Sequence, residues 1–206
     1  MKIHGLRIYP QSVEVIRGND NSPIFVHSPI SNSCSDFFYI FSSIASAWYG
    51  HFFATDLELC YDEHMDLEVL MSELYEEFGS SLVDADIKSQ LLILRGNNFE
   101  QWSSSMYFSG GGAFLPIFRE QPTFDLLKTL DFSLTSESWP QHMRAVLHMW
   151  DGIYWQLFTT ERSDIDNLLR VHAGDPKLKM YFVDFDHEYP DPSNQELELA
   201  TLLDGI

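Results

Sequence analysis

Basic residues and cysteine are what this chain has least of. Its 206 residues hold 12 Lys and Arg against 31 Asp and Glu, a formal net charge of −19. A small domain stays soluble with about 2 to 8 net charges, so the remainder is self-repulsion that solubility does not require. From Gly18 to Ile87 there is no Lys or Arg, while 13 acidic residues fall in that interval, and from Met180 to the end there are again no cations and seven carboxylates. Nucleic acid and anionic membrane are disfavoured as direct ligands, because both reward Lys and Arg on the binding face. A basic partner is favoured instead. Cys34 and Cys60 are the only cysteines, which argues against a disulfide scaffold. The start, MKIHGLRIYPQSVEV, lacks an apolar core of signal-peptide length. The longest apolar-rich stretch, Phe37 to Tyr49, is broken by serines and too short to span a bilayer. These absences predict a cytoplasmic, reduced protein.

Catalytic motifs are missing as well. The eight histidines include no H-E-x-x-H, and no Cys-x-x-Cys accompanies them, so zinc is not indicated. Ser109-Gly110-Gly111-Gly112 lacks the Lys-Ser/Thr that completes a phosphate-binding loop, and reads as a hairpin tip. No Gly-x-Ser-x-Gly is present. The sequence therefore predicts neither catalytic residues nor a cofactor.

What the chain does have is apolar mass: 45% hydrophobic residues with 16 Phe, 9 Tyr and 5 Trp, enough for a real core and unlike a disordered composition. One domain over 1–206 is predicted, with a short acidic tail from about 190. Residues 2–9 and 12–17 read as a strand pair, and Pro23 to His27 as a short strand. Phe37, Ile40, Phe41, Ile44 and Trp48 fall at helical spacing, as do Leu67, Leu70, Met71, Leu74 and Phe78, with Gly79 as a stop. Strands are predicted over His51 to Tyr61 and 87–95, a glycine hairpin with arms Trp102 to Phe108 and Ala113 to Phe118, and a short helix from Pro122 to Leu130. Ser138 and Pro140 open another predicted helix, in which Met143, Val146, Leu147 and Trp150 form one stripe. The last third, Asp151 to Tyr189, reads as strand, helix, strand. Its helix is capped by Ser163 with Asp166 in the capping-box position, and its final strand is apolar on both faces. The expected class is α+β: a mixed sheet with an N-terminal strand pair, four to five helices and a C-terminal β-α-β unit.

Two acidic groups stand out. Asp56 to Glu77 holds nine carboxylates and no cation. A solvated helix face usually mixes signs, since opposite charges four residues apart stabilise it. Glu76 and Glu77 also sit in the last helical turn, where the dipole favours cations. Asp184, Asp186, His187, Glu188 and Asp191 form the second group, after a strand. They would suit a hard divalent cation, or simply end the strand in water. Tyr61, Tyr75, Trp102 and Tyr107 could anchor an interface or fill the core.

In size, charge and lack of a catalytic motif the chain resembles bacterial immunity proteins, which neutralise a cognate toxin delivered by a neighbouring cell. The same profile is similar to that of DNA mimics. Immunity is the better fit, because many toxin domains are nucleases with basic clefts that an acidic partner could occlude. The expected partner-binding residues are Asp62, Glu63, Asp66, Glu68, Glu73, Glu76 and Glu77, together with Asp184, Asp186 and Glu188. A DNA mimic would need charges spaced along an elongated face, and a metal-dependent hydrolase would need the cluster near Asp184 to hold an ion.

Overall fold

A computed structural model describes residues 1–10, 13–17, 23–27, 34–56, 66–105, 113–130, 134–150, 154–175 and 178–188. Ten strands and six helices follow in chain order: β1 (His4–Pro10), β2 (Val13–Arg17), β3 (Pro23–His27), α1 (Cys34–Ala45), β4 (Phe52–Asp56), α2 (Leu67–Phe78), β5 (Leu82–Asp86), β6 (Leu91–Arg95), α3 (Phe99–Ser105), β7 (Ala113–Phe118), α4 (Phe124–Leu127), β8 (Met143–Trp150), β9 (Tyr154–Thr159), α5 (Arg162–Val171), β10 (Leu178–Val183) and α6 (Phe185–Glu188). Eight strands make one sheet in the order β10-β1-β9-β8-β7-β4-β6-β5, and β2 pairs with β3 apart from it. The α+β class is as expected.

The details differ from expectation in instructive ways. All neighbours in the large sheet are antiparallel, so it is not mixed by pairing. The predicted β-α-β unit is present in split form. β9 and β10 both run antiparallel to β1, hence parallel to each other, with β1 inserted between them. The predicted N-terminal strand pair dissolves accordingly: β1 joins the large sheet, and β2 takes β3 as its partner. Gly5 is what lets β1 sit so tightly there, because a Cβ on it would lie 2.5 Å from the Val183 carbonyl and 2.8 Å from the Phe158 ring.

Residues 143–150 are a strand, not the predicted helix. β8 is central and buried on both faces, so it lacks the alternation that marks a half-exposed strand, and its stripe reads equally well at helical spacing. Residues 99–105 are the helix α3 rather than a hairpin arm; Phe99 and Trp102, three apart, both insert into the core. The predicted strand 87–95 is a 3-10 turn at Ile87–Ser89 followed by β6, with Gln90 in the left-handed region (φ 54°). α5 starts at Arg162 with Glu161 as its N-cap, so Ser163 does not cap it. Asp166 instead pairs with Arg162 at 2.9 Å. β10 lies at a sheet edge with Phe182 58% exposed, so it is not buried on both faces. The hairpin tip at 109–112 and the acidic tail lie outside the described residues.

One face of the sheet carries α1, α2, α3 and α5. α1 packs against α3 and α5, and α3 against α2. An aromatic cluster fills this layer: Phe37 lies 5.0 Å from Trp155, and Trp102 is 5.0 Å from Phe53 and 5.1 Å from Phe99, between ring centroids. These offset and edge-on contacts contribute about 0.5–1.5 kcal/mol per pair beyond area burial. The opposite face holds a smaller core, in which Phe185 meets Trp139 at 5.3 Å and Phe158 at 4.8 Å.

Two buried polar groups interrupt the apolar layers. Arg7, Gln156 and His148 are cross-strand neighbours on β1, β9 and β8. Only one orientation of the Gln156 amide suits both sides: its nitrogen donates to His148 Nδ1 (3.1 Å), and its oxygen accepts from Arg7 Nε and Nη2 (3.0 and 2.9 Å). On the helical face, a register shift opposite Ile117 and Phe118 adds a residue to β8. This bulge turns Arg144 toward the helices. Its guanidinium forks onto Asp164 at 2.7 and 3.1 Å and donates to the Ala47 carbonyl at 2.7 Å, tying β8, α5 and the end of α1 together.

Candidate protein-binding surface on α2 and the β5 edge

α2 begins where the Asp66 carboxylate accepts from the Glu68 N–H (2.9 Å), and ends at Gly79 with φ 48°. Between them, the spacing of Leu70, Leu74 and Phe78 buries one face against the core. The other face presents Glu68, Val69, Tyr75 and Glu76, with Glu73 and Glu77 half-buried on its flank. Val69 is 47% and Tyr75 61% exposed, so apolar and aromatic surface is interleaved with the carboxylates. The last turn contains no basic residue.

Four cations of the described residues are engaged elsewhere, while Lys88 stands exposed in the turn after β5. Arg144 pairs with Asp164, Arg162 with Asp166, Arg119 with Glu161, and Lys128 with Asp86 (3.1 Å). Among the described residues, Glu68, Glu73 and Glu76 form no ion pair. α2 leads through a 3-10 turn directly into β5, which pairs with β6 on one side and, among the described residues, with no strand on the other. β5 adds the exposed Asp84, whose carboxylate accepts from the Ala85 N–H (2.9 Å). Asp86 caps the following turn through the Ser89 N–H (3.2 Å); hydrogen bonding from Ser89, then Lys128, holds its carboxyl below the usual range.

Of the remaining expected residues that the structure describes, Asp184, Asp186 and Glu188 do not converge on this surface. Asp62 and Glu63 lie outside the described residues. Asp66 is exposed but is already used as the helix cap. Asp184, Asp186 and Glu188 follow β10, at the opposite edge from β5; across an eight-stranded sheet, seven steps of about 4.8 Å separate the two edges by roughly 33 Å. The described members of the two acidic groups therefore do not form one site.

The second group is also structural in part. β10 stops at Val183, and Asp184 accepts from the Asp186 N–H (3.1 Å) at the start of α6, so the two are not alternate positions of one strand. Asp186 in turn accepts from the Ser136 N–H (2.9 Å) and anchors the segment around Trp139. Both line a cleft of about 450 Å³ with Lys2, His4 and Arg162. Burial, and then the charges of Lys2 and Arg162, hold the His4 imidazole below its usual value. Among the described residues, no group of three or more His, Cys, Asp or Glu could hold a metal ion. No helix of the described residues is long and apolar enough to cross a membrane.

Sequence reasoning missed β5, whose Asp84 and Asp86 lower its strand propensity, and so missed that α2 borders a strand edge. The signal was available in Leu82-Val83 and Ala85 flanked by those aspartates, a short charged segment of the kind that ends sheets. Arg7, His148 and Gln156 were missed too; lone polar residues in apolar runs were their only mark. Compared with known proteins, no family model matches the chain, and neither a curated protein nor a solved structure matches it.

Proposed function

We propose that this chain is an acidic binding protein that neutralises a basic protein partner, and specifically that it acts as an immunity protein occluding the basic cleft of a cognate toxin domain. The observation that carries the reading is the outer face of α2: Glu68, Glu73 and Glu76 without ion pairs among the described residues, set around the exposed Val69 and Tyr75. Carboxylates held without counter-charges repel one another, and Glu76 in the last turn also opposes the helix dipole. A basic partner reverses the sign of that cost and gains from it in association rate and specificity. Tyr75 supplies an aromatic anchor of the type that concentrates binding energy at an interface centre.

The test uses the native protein and a Glu73→Lys, Glu76→Lys, Glu77→Lys variant as matched baits. Each is offered host lysate and the purified products of adjacent genes, at low and then moderate salt. The expected result is one basic protein retained stoichiometrically by the native bait and lost by the variant, with its activity suppressed by the native chain alone. Equal retention by both baits would remove α2 from the interface. If no basic protein is retained at low salt, the reading is wrong.

A further inference from the structure

Building on that reading, we propose that the edge of β5 is a guarded docking strand that accepts an extended basic segment of the partner and turns away neutral and acidic ones. Among the described residues β5 has β6 on one side and no strand on the other. An edge strand directs the N–H and C=O of every second residue outward, a template that an incoming chain can complete. The Ala85 amide is held by the carboxylate of its neighbour Asp84 at 2.9 Å. On this proposal that amide faces away from β6, its donor taken up by the adjacent side chain. Asp84 is therefore a guard, occupying an outward-facing donor with a negative charge.

The guard sorts strands by charge. For a neutral strand to pair here, Asp84 must give up the Ala85 N–H and receives nothing in return. An acidic strand meets Asp84 and the α2 carboxylates as like charges. A strand with Lys or Arg opposite Asp84 replaces both interactions at once: its carbonyl takes the Ala85 N–H, and its cation takes the freed carboxylate. Asp86 cannot serve this purpose, because it already holds Lys128 at 3.1 Å and the Ser89 N–H. The β5–β6 register shifts between Leu82 and Asp84, so the regular stretch of β5 runs from Asp84 to Asp86. Glu73, Glu76 and Glu77 on the neighbouring helix extend the same negative field over the edge. The opposite edge, β10, offers no such rule: Lys2 and Arg162 line the cleft at its end together with Asp184 and Asp186.

The probes are three short blocked peptides alternating valine with lysine, serine or glutamate, labelled for fluorescence anisotropy. Amide hydrogen exchange of the full chain is followed in parallel. The lysine peptide is expected to bind at least about fivefold tighter than the serine peptide, as expected for one cross-strand ion pair or more, and to slow exchange at Ala85 and its neighbours in β5. Asp84→Asn should bring the lysine and serine peptides close to equal affinity. Ala85→Pro, which removes the outward donor, should abolish binding; if that variant does not fold, Asp84→Asn and the exchange pattern still decide. Lysine-peptide binding that leaves β5 exchange unchanged overturns strand addition while leaving the acidic surface as the docking site. Absence of peptide binding, with a basic protein still lost on α2 charge reversal, likewise overturns this inference alone.

Discussion

His148 makes stability depend on pH in a way that one substitution isolates. Burial pushes its imidazole down to about 4, and the nearby Arg7 guanidinium adds to that push. The ring nitrogen Nδ1 accepts from the Gln156 amide, so a proton there has no acceptor. In the unfolded chain the ring titrates near 6.5. Between those values the unfolded state binds the proton and the folded state does not, so stability is fully present above about pH 6.5 and is lost as the pH falls toward 4. Integrating the difference gives a loss of about 2 kcal/mol by pH 5 and about 3 kcal/mol by pH 4, with a limit of about 3.4 kcal/mol. Many carboxylates titrate over the same range, so absolute curves mean little. His148→Gln keeps an acceptor for Gln156 and has no titration of its own. Urea unfolding of both proteins, followed by tryptophan fluorescence at pH 7, 6 and 5, yields the difference in which the carboxylates cancel. The native protein should lose about 2 kcal/mol more than the variant between pH 7 and pH 5, equivalent to about 4–8 °C in Tm for a chain of this size. Parallel pH profiles would refute the placement of His148 as a neutral, buried acceptor.

Two further outcomes follow from charges in opposite situations. Arg144→Ala should destabilise the fold by about 3–5 kcal/mol in chemical denaturation, because it leaves the buried Asp164 carboxylate uncompensated; the double variant Arg144→Met, Asp164→Leu should recover much of that loss, and no recovery would mean that the pair does more than neutralise itself. Glu76→Lys should raise stability by a few tenths of a kcal/mol, read as a slightly higher Tm, since it puts a cation in the last turn of α2; a lower Tm would show that Glu76 has a stabilising contact in the folded chain.

The elements that were legible in the sequence are those with one wet face. α2 could be read from Leu70, Leu74 and Phe78 and stops at Gly79 as predicted, because carboxylates and a serine dominate its outer face despite Val69 and Tyr75. α1 was legible despite being apolar nearly all round, since Phe37, Ile40, Phe41 and Ile44 keep helical spacing and serines separate them. β8 was not, for the opposite reason: a central strand needs apolar residues on both faces, and the two superimposed period-2 patterns mimic a helical stripe. The bulge at Arg144 made matters worse by shifting the parity within the strand. α3 was obscured by its short length and its serines. The site was half legible. The charge imbalance and the helix could be read directly, but strand order cannot be. Asp184 and Glu76 belong to one acidic class in sequence, and only the sheet order shows them to be on opposite edges.

That order also separates two uses of charge within one chain. In the interior, Arg144 with Asp164, and Arg7 with Gln156 and His148, are held by short hydrogen bonds that fix which elements meet; each would be costly to break and none is available to a partner. At the β5 edge the balance is reversed. Glu68, Glu73 and Glu76 are left without ion pairs among the described residues, although Lys128 comes as near as Asp86. A chain under selection for stability alone would gain from cations on α2, and Glu76→Lys measures that gain directly. If that variant is more stable and also loses a basic partner, the same carboxylates will have been shown to oppose folding and favour binding, as expected where function competes with stability. If it is more stable and binding is unchanged, the acidity of α2 serves no interface, and the uncompensated charge needs a different physical explanation.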